Sequence, residues 1–232
     1  MVDNTQVKFS KATSDVGYSE ECTAQFDELQ EKHNSEHYTI GISYIYKECG
    51  VIKTAFELAI HLKQAKQEIS LFLPDSIYYR YMQYHGIEKE TAHNGCTVND
   101  LPIYPLSVYD EEKPKTMYSI VVIMNISDLR FEKSDIKVAL CIGTEAEIGY
   151  LEDYLNSPLP YIKAINYCFY PISQEDFKKF NSSMLQGHCK AYRLRTSPNY
   201  TNPCQWNREV YDRILHLYTD VNTKKKLKLF GR

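Results

Sequence analysis

The sequence predicts an α/β protein with a Rossmann-like, mainly parallel sheet and helices on both faces. Three observations favour this fold class. Segments rich in β-branched and aromatic residues alternate with segments whose apolar residues recur at helical spacing. The runs at 118–124 and 136–142 are almost wholly apolar, as expected of strands buried on both faces. The length of 232 residues and the net charge of −3 are those of an ordinary globular domain.

The predicted strands share a high content of β-branched and aromatic residues and are bounded by polar or turn-forming residues. The first, YTIGISYIY, follows a polar segment, and Pro74 ends the second. The last is expected at an edge of the sheet. In chain order the predicted strands are 38–46, 68–73, 118–124, 136–142, 161–169 and 190–194, and a short extended piece is expected near 101–106.

The segments between these strands predict helices with recognisable first residues. Asp75 and Thr144 are expected to cap two of them, because their side-chain oxygens can accept free N–H groups of a first turn. Glu175 and Asp176 after Ser173 suit the positive end of a helix dipole. The predicted helices are 51–66, 75–85, one from Thr144 that ends before Pro158, one from Ser173, and 204–217.

Charge divides the chain into three parts. Residues 1–37 hold eight acids against three bases and few large aliphatic residues, which predicts a flexible acidic arm. Residues 38–218 form the predicted Rossmann-like domain. Residues 219–232 carry five bases against one acid and form a basic tail. The arm is a candidate for docking onto a protein partner.

Composition also excludes several classes of protein. The first residues have no apolar signal segment, and no apolar run reaches membrane-spanning length. Seven cysteines are an odd number and are expected as free thiols in the cytoplasm. The slightly negative net charge disfavours specific nucleic-acid binding.

The candidate binding residues follow the predicted strands. Ligands of parallel sheets bind at the carboxyl ends of the strands, and loops from neighbouring strands meet there around a topological switch point. We therefore expect a ligand site if the predicted strands 38–46, 118–124 and 136–142 are neighbours. The candidate ligand-binding residues are Cys49, Gly50, Asn125, Asp128, Gly143, Thr144 and Glu145.

Each candidate has an alternative role in local structure. Gly50 is the only glycine of its loop, whereas a P-loop has the pattern G-x-x-x-x-G-K-[ST] and a dinucleotide loop G-x-G-x-x-G. A simple turn before a helix is therefore favoured there, and no cofactor is predicted. Glu145 would either accept a sugar or ribose hydroxyl or only suit a helix dipole. Asn125 and Asp128 often make turns.

Metal binding and cysteine chemistry are not predicted. The pairs His93/Cys96 and His188/Cys189 lack the repeated spacing of a zinc site. Cys49 would need a histidine partner to act as a nucleophile, and none is identifiable, so an inert thiol is favoured.

Tyrosine is abundant, with 20 tyrosines beside one tryptophan. Tyr78, Tyr81 and Tyr84 have the spacing of one side of the second predicted helix. Such a surface would stack on sugars or bases or form a protein interface. A compositional bias of the coding sequence explains the count equally well.

Residues 38–75 resemble the opening of the acceptor half of GT-B glycosyltransferases. The resemblance rests on Gly50, the Glu57-Leu58-Ala59 segment and Leu62 in a strand, loop, helix and strand. It implies one half of such an enzyme, because the chain is too short to supply the second, donor-binding domain.

Three functions follow from these observations. The first is a glycosyltransferase-like domain that binds a sugar or nucleotide ligand at the strand carboxyl ends. The second is a non-enzymatic module that binds a protein through the acidic arm or the tyrosine-rich surface. The third is a TIR-like enzyme that processes nucleotides or NAD, with Glu57 or Glu145 as its acid. No catalytic base is identified.

Overall fold

The computed structural model describes most of the predicted domain. The described ranges are 37–46, 50–88, 94–111, 116–170, 172–186, 189–196 and 202–215. The predicted basic tail, and the acidic arm apart from His37, lie outside them, and so does Cys49. Within these ranges, no helix is both long and apolar enough to cross a membrane.

One mixed sheet forms the centre of the fold, and the predicted fold class is confirmed. Its order is β3-β4-β2-β5-β1-β6-β7-β8, and every neighbouring pair is parallel except β3 and β4. The strand predicted at 190–194 is an edge strand, as expected. The strands are β1 (Tyr38–Tyr44), β2 (Ile69–Leu73), β3 (Cys96–Val98), β4 (Leu101–Pro105), β5 (Tyr118–Val122), β6 (Ile136–Cys141), β7 (Asn166–Phe169) and β8 (Lys190–Arg193).

Helices cover both faces of this sheet. The helices are α1 (Val51–Gln64), α2 (Asp75–Tyr84), α3 (Leu106–Glu111), α4 (Leu129–Glu132), α5 (Glu145–Leu155), α6 (Pro160–Lys163), α7 (Gln174–Gln186) and α8 (Gln205–Ile214). Side chains of α1, α2 and α8 pack in one core cluster, and side chains of α3 to α7 pack in the other. The sheet is therefore the middle of three layers.

β1 contributes to both cores because successive residues of a strand face opposite ways. Ile40 and Ile42 are fully buried in the cluster that contains α1. Gly41 faces the other layer, where Ser134 and Phe131 approach it closely. A Cβ atom built on Gly41 would lie 2.5 Å from Ser134 Oγ and 3.1 Å from a Phe131 ring carbon. Only a glycine leaves room for this packing.

The strand predicted at 161–169 is too long. The structure has helix α6 at its start and the strand only from Asn166. Pro160 occupies the beginning of α6, where the missing N–H of proline costs nothing and its fixed φ suits a helix. The apolar character of Tyr161 and Ile162 comes from packing of a short helix, with Ile162 fully buried.

One further local prediction needs correction, and one strand was not predicted. Asp75 does not cap α2, because Pro74 is the N-cap residue. Its carboxylate instead accepts the N–H of Ser107, 3.0 Å away at the start of α3. The structure also contains β3, which the sequence did not predict, and β3 and β4 form a hairpin whose turn residues Asn99 and Asp100 have φ of 50° and 58°. Positive φ at both positions is typical of a tight hairpin turn.

We expect Gly41→Ala to destabilise the protein by about 1–3 kcal/mol, because the new methyl group would overpack the contact with Ser134. Gly149→Ala is the matched control. Gly149 lies in α5 with nothing within 4 Å of a Cβ position, so alanine should stabilise by about 0.5–1 kcal/mol. Urea unfolding measures the stability of both variants. An equal change in the unfolding free energy of the two would contradict the packing described for β1.

Candidate functional site

The strands that precede the candidate loops are neighbours. β1 lies between β5 and β6 in the sheet. From β1 the chain continues to β2 on one side, and from β6 it continues to β7 on the other. The strand order therefore reverses between β1 and β6, which is the point where parallel sheets bind ligands.

The β1–α1 loop ends at the N-terminus of a long helix. Gly50 is the N-cap residue and has φ of 62° and ψ of 14°, a left-handed conformation that suits glycine. The first turn of α1 holds no acidic side chain. Because the first N–H groups of a helix have no partner within it, this end can accept an anion.

Lys53 and Thr54 lie in the first turn of α1 and were missed by the sequence analysis. Lys53 Nζ donates a hydrogen bond to Tyr170 Oη at 2.7 Å and lies 3.7 Å from Glu57 Oε1. Thr54 is buried, and its N–H donates to the carbonyl of Gly50 at 2.8 Å. A lysine is thus present where the loop, the helix end and the residue after β7 meet.

The signal for these two residues is part of a P-loop pattern. Lys53-Thr54 matches the final K-[ST] of G-x-x-x-x-G-K-[ST], but Lys47 and Ile52 stand where that pattern has glycines. Because the sequence analysis looked for the glycines, the pair was overlooked. Ile52 packs against the core cluster of α1.

Asn125 and Asp128 are engaged in the turn that follows β5. Asn125 Oδ1 accepts the N–H of Ser127 at 2.9 Å. Asp128 is the N-cap of α4 and accepts the N–H of Arg130 at 2.8 Å, and its carboxylate pairs with the Arg130 guanidinium at 2.7 Å. These bonds to Arg130 hold the pKa of Asp128 below its ordinary value. Both residues therefore have the local roles named as alternatives.

The loop after β6 is closed by a carboxylate that the sequence analysis did not select. Thr144 caps α5 as predicted, accepting the N–H of Glu147 at 3.3 Å. Glu147 is fully buried, and its Oε2 accepts the N–H groups of Ile142 and Gly143 at 2.6 Å each. The side chain of Glu145 lies outside the described part. The backbone donors of this loop are thus satisfied by a residue of the chain itself.

The three tyrosines of α2 do not share one exposed surface. Tyr78 is fully buried, whereas 86% of Tyr84 is exposed. Tyr81 packs against Phe56 of α1, with ring centroids 5.1 Å apart. The helical spacing predicted from the sequence is correct, but Tyr78 at one end is buried in the core cluster that contains α1.

No cluster of three or more His, Cys, Asp or Glu side chains that could hold a metal ion occurs in the described ranges. His93 and His188 are not among the described residues. Neither Cys96 nor Cys189 forms a disulfide with another described residue.

Comparison with known proteins finds similarity in structure alone. No family model and no curated protein matches the sequence. A plasmid partition protein from Borrelia burgdorferi B31 bound to AMPPNP is similar, with a TM-score of 0.52 and 14% identity over 80% of this chain and 99% of that chain. Another structure of a plasmid partition protein from Borrelia burgdorferi gives a TM-score of 0.53 at 14% identity, with the same coverage. These matches show a shared fold.

The resemblance to GT-B glycosyltransferases was wrong, and so was the glycosyltransferase-like function. Partition proteins match 80% of the chain, whereas the resemblance rested on residues 38–75. A strand, a loop with one glycine and an amphipathic helix occur in many parallel sheets, so this pattern does not distinguish families. Glu57, considered as a TIR-like acid, is buried between α1 and α8.

Burial of Glu147 raises the pKa of its carboxyl group above the ordinary value. The folded state then keeps this proton to higher pH than the unfolded chain. The stability contributed by the group is complete below about pH 4.3 and is lost as pH rises through the folded pKa. We expect the unfolding free energy of the wild type, relative to Glu147→Gln, to fall as pH rises from about 4 to 7.

Urea unfolding across this pH range measures the difference in unfolding free energy between the wild type and Glu147→Gln. Glu152→Gln is the matched control, because Glu152 is an exposed residue of the same helix. A difference between wild type and Glu147→Gln that is constant or grows with pH would contradict the effect assigned to burial.

Proposed function

We propose that this chain binds a nucleotide through its phosphate groups at the N-terminus of α1. The observation that carries the proposal is the position of Lys53 and Thr54 in the first turn of α1, directly after Gly50 and the central strand β1. Backbone N–H groups that have no partner within the helix, a helix dipole and an ammonium group meet at this point. Each of them favours an anion.

The chemistry of nucleotide-binding loops supports this assignment. In a P-loop the lysine reaches the β- and γ-phosphates, and the Ser or Thr hydroxyl contacts a magnesium ion. A similar fold has been solved with AMPPNP, an ATP analogue, bound to a plasmid partition protein. That observation supports a nucleoside triphosphate as the class of ligand.

The residues of the loop indicate weaker phosphate binding than a complete P-loop provides. The two glycines of the pattern allow the backbone to wrap around a phosphate group. With Lys47 and Ile52 in their places, the proposed contacts are the N–H groups of the first turn and the Lys53 ammonium. Binding then depends strongly on Lys53.

The residues described do not fit the magnesium site of P-loop enzymes. Such a site combines the Ser or Thr hydroxyl with an aspartate at the end of a neighbouring strand. Here β5 continues into Asn125, and the next carboxylate, Asp128, is paired with Arg130. Thr54 therefore has no described aspartate beside it, and we assign no hydrolytic step. The proposed function is nucleotide binding.

We expect Lys53→Ala to weaken AMPPNP binding by about 10-fold or more, the size of a lost hydrogen bond to a charged group. Lys63→Ala is the matched control, since Lys63 lies near the other end of α1 and pairs with Asp100. We expect the Lys63→Ala variant to bind AMPPNP as tightly as the wild type. Isothermal titration calorimetry measures each affinity, and circular dichroism checks that the variants fold.

Two results would contradict the proposal. The first is a wild-type protein that binds no AMPPNP at millimolar concentration. The second is a Lys53→Ala variant that binds as tightly as the wild type, because the ligand would then lie elsewhere.

A further inference from the structure

Tyr170 contacts both the loop glycine and the lysine of the proposed site. Its hydroxyl accepts the hydrogen bond from Lys53 Nζ at 2.7 Å, and the ammonium lies 5.2 Å from the ring centroid. A Cβ atom built on Gly50 would lie 3.3 Å from the Tyr170 ring. The side chain of Tyr170 therefore lies against the N-cap of α1, beside the N–H groups that would bind a phosphate.

Glu57 holds Lys53 from the other side. Its side chain is 2% exposed on α1, and its Oε2 accepts hydrogen bonds from Tyr211 Oη at 2.7 Å and Asn207 Nδ2 at 3.1 Å. Oε1 is buried and accepts no hydrogen bond from the described residues, but it lies 3.7 Å from Lys53 Nζ. Because a buried carboxylate needs a compensating charge, Lys53 stabilises Glu57 at this position.

We propose that Tyr170 and Glu57 are positioning residues that hold Lys53 in a nucleotide-free arrangement. When a nucleotide binds, Lys53 gives up its hydrogen bond to the Tyr170 hydroxyl and donates to a phosphate oxygen instead. This inference rests on the proposed function, since it concerns regulation of the same site. A ligand that must first break an internal contact binds with an affinity lowered by the cost of breaking it.

The possible roles of Tyr170 predict different effects on nucleotide affinity. If Tyr170 acts by holding Lys53, removing its hydroxyl should free the lysine and strengthen binding. If Tyr170 is a ligand contact or only supports the fold, removing the hydroxyl should weaken binding or leave it unchanged. The ring is retained in Tyr170→Phe, so its packing against Gly50 is preserved.

The experiment is a double-mutant cycle on AMPPNP affinity, measured by calorimetry on the full chain. Tyr170→Phe should raise affinity by about 2- to 10-fold, the size of a typical hydrogen bond. The same change in a Lys53→Ala background should have no effect, because the lysine through which it acts is absent. Tyr84→Phe, an exposed tyrosine of α2, is the matched control and should leave affinity unchanged.

Glu57→Gln provides a second, independent variant. It removes the charge that attracts Lys53 while keeping the shape of the side chain, so it should also raise affinity. Two results would overturn the inference while the wild type still binds AMPPNP. One is that neither single variant raises affinity, and the other is that the gain for Tyr170→Phe persists without Lys53. Absence of AMPPNP binding in the wild type and in every variant would overturn the proposed function itself.

Discussion

The buried carboxylate of Glu57 constrains the arrangement around the proposed site. It is enclosed between α1 and α8 and accepts hydrogen bonds from two residues of α8, Tyr211 and Asn207. Burial and the adjacent carboxylate raise the pKa of Tyr211, so its hydroxyl stays protonated and can donate. One turn further along α1, His61 contacts Asp212 at 2.7 Å. Polar contacts that must be satisfied thus fix α8 on α1, and with it the end of α1 that carries Lys53.

The position of β1 in the sheet determines which loops meet at this end. Its neighbours β5 and β6 bring two more loops to the same edge, but groups of the chain itself occupy both of these loops. Arg130 neutralises Asp128, and Glu147 accepts the N–H groups after β6. The N-terminus of α1 differs because it combines N–H groups that have no partner within the helix with a lysine. This difference supports the choice of the α1 N-terminus as the proposed anion site.

Local sequence patterns predicted the fold well because they reflect burial and capping. The apolar runs at 118–124 and 136–142 gave correct strands beside the centre of the sheet, and Thr144 caps its helix as expected. The same reasoning failed where a strand and a short helix have the same apolar pattern, as at Tyr161 and Ile162. Pro160 was the available signal for the short helix there.

The site was harder to predict because its contacts join distant parts of the chain. Lys53 and Tyr170 are 117 residues apart, and no local pattern indicates that they meet. The spacing of acids after Gly143 did not show that Glu147 turns back to the loop. Lys53-Thr54 was recognisable only if the P-loop pattern was allowed to lose its glycines. These are limits of reasoning from residue types at fixed spacings.

The most direct test of the account is a crystal structure of the full chain grown with AMPPNP. The account predicts phosphate oxygens at the N-terminus of α1 within hydrogen-bond distance of Lys53 Nζ, with the bond from Lys53 to Tyr170 broken. A nucleotide bound at another edge of the sheet, with Lys53 still bonded to Tyr170, would contradict it.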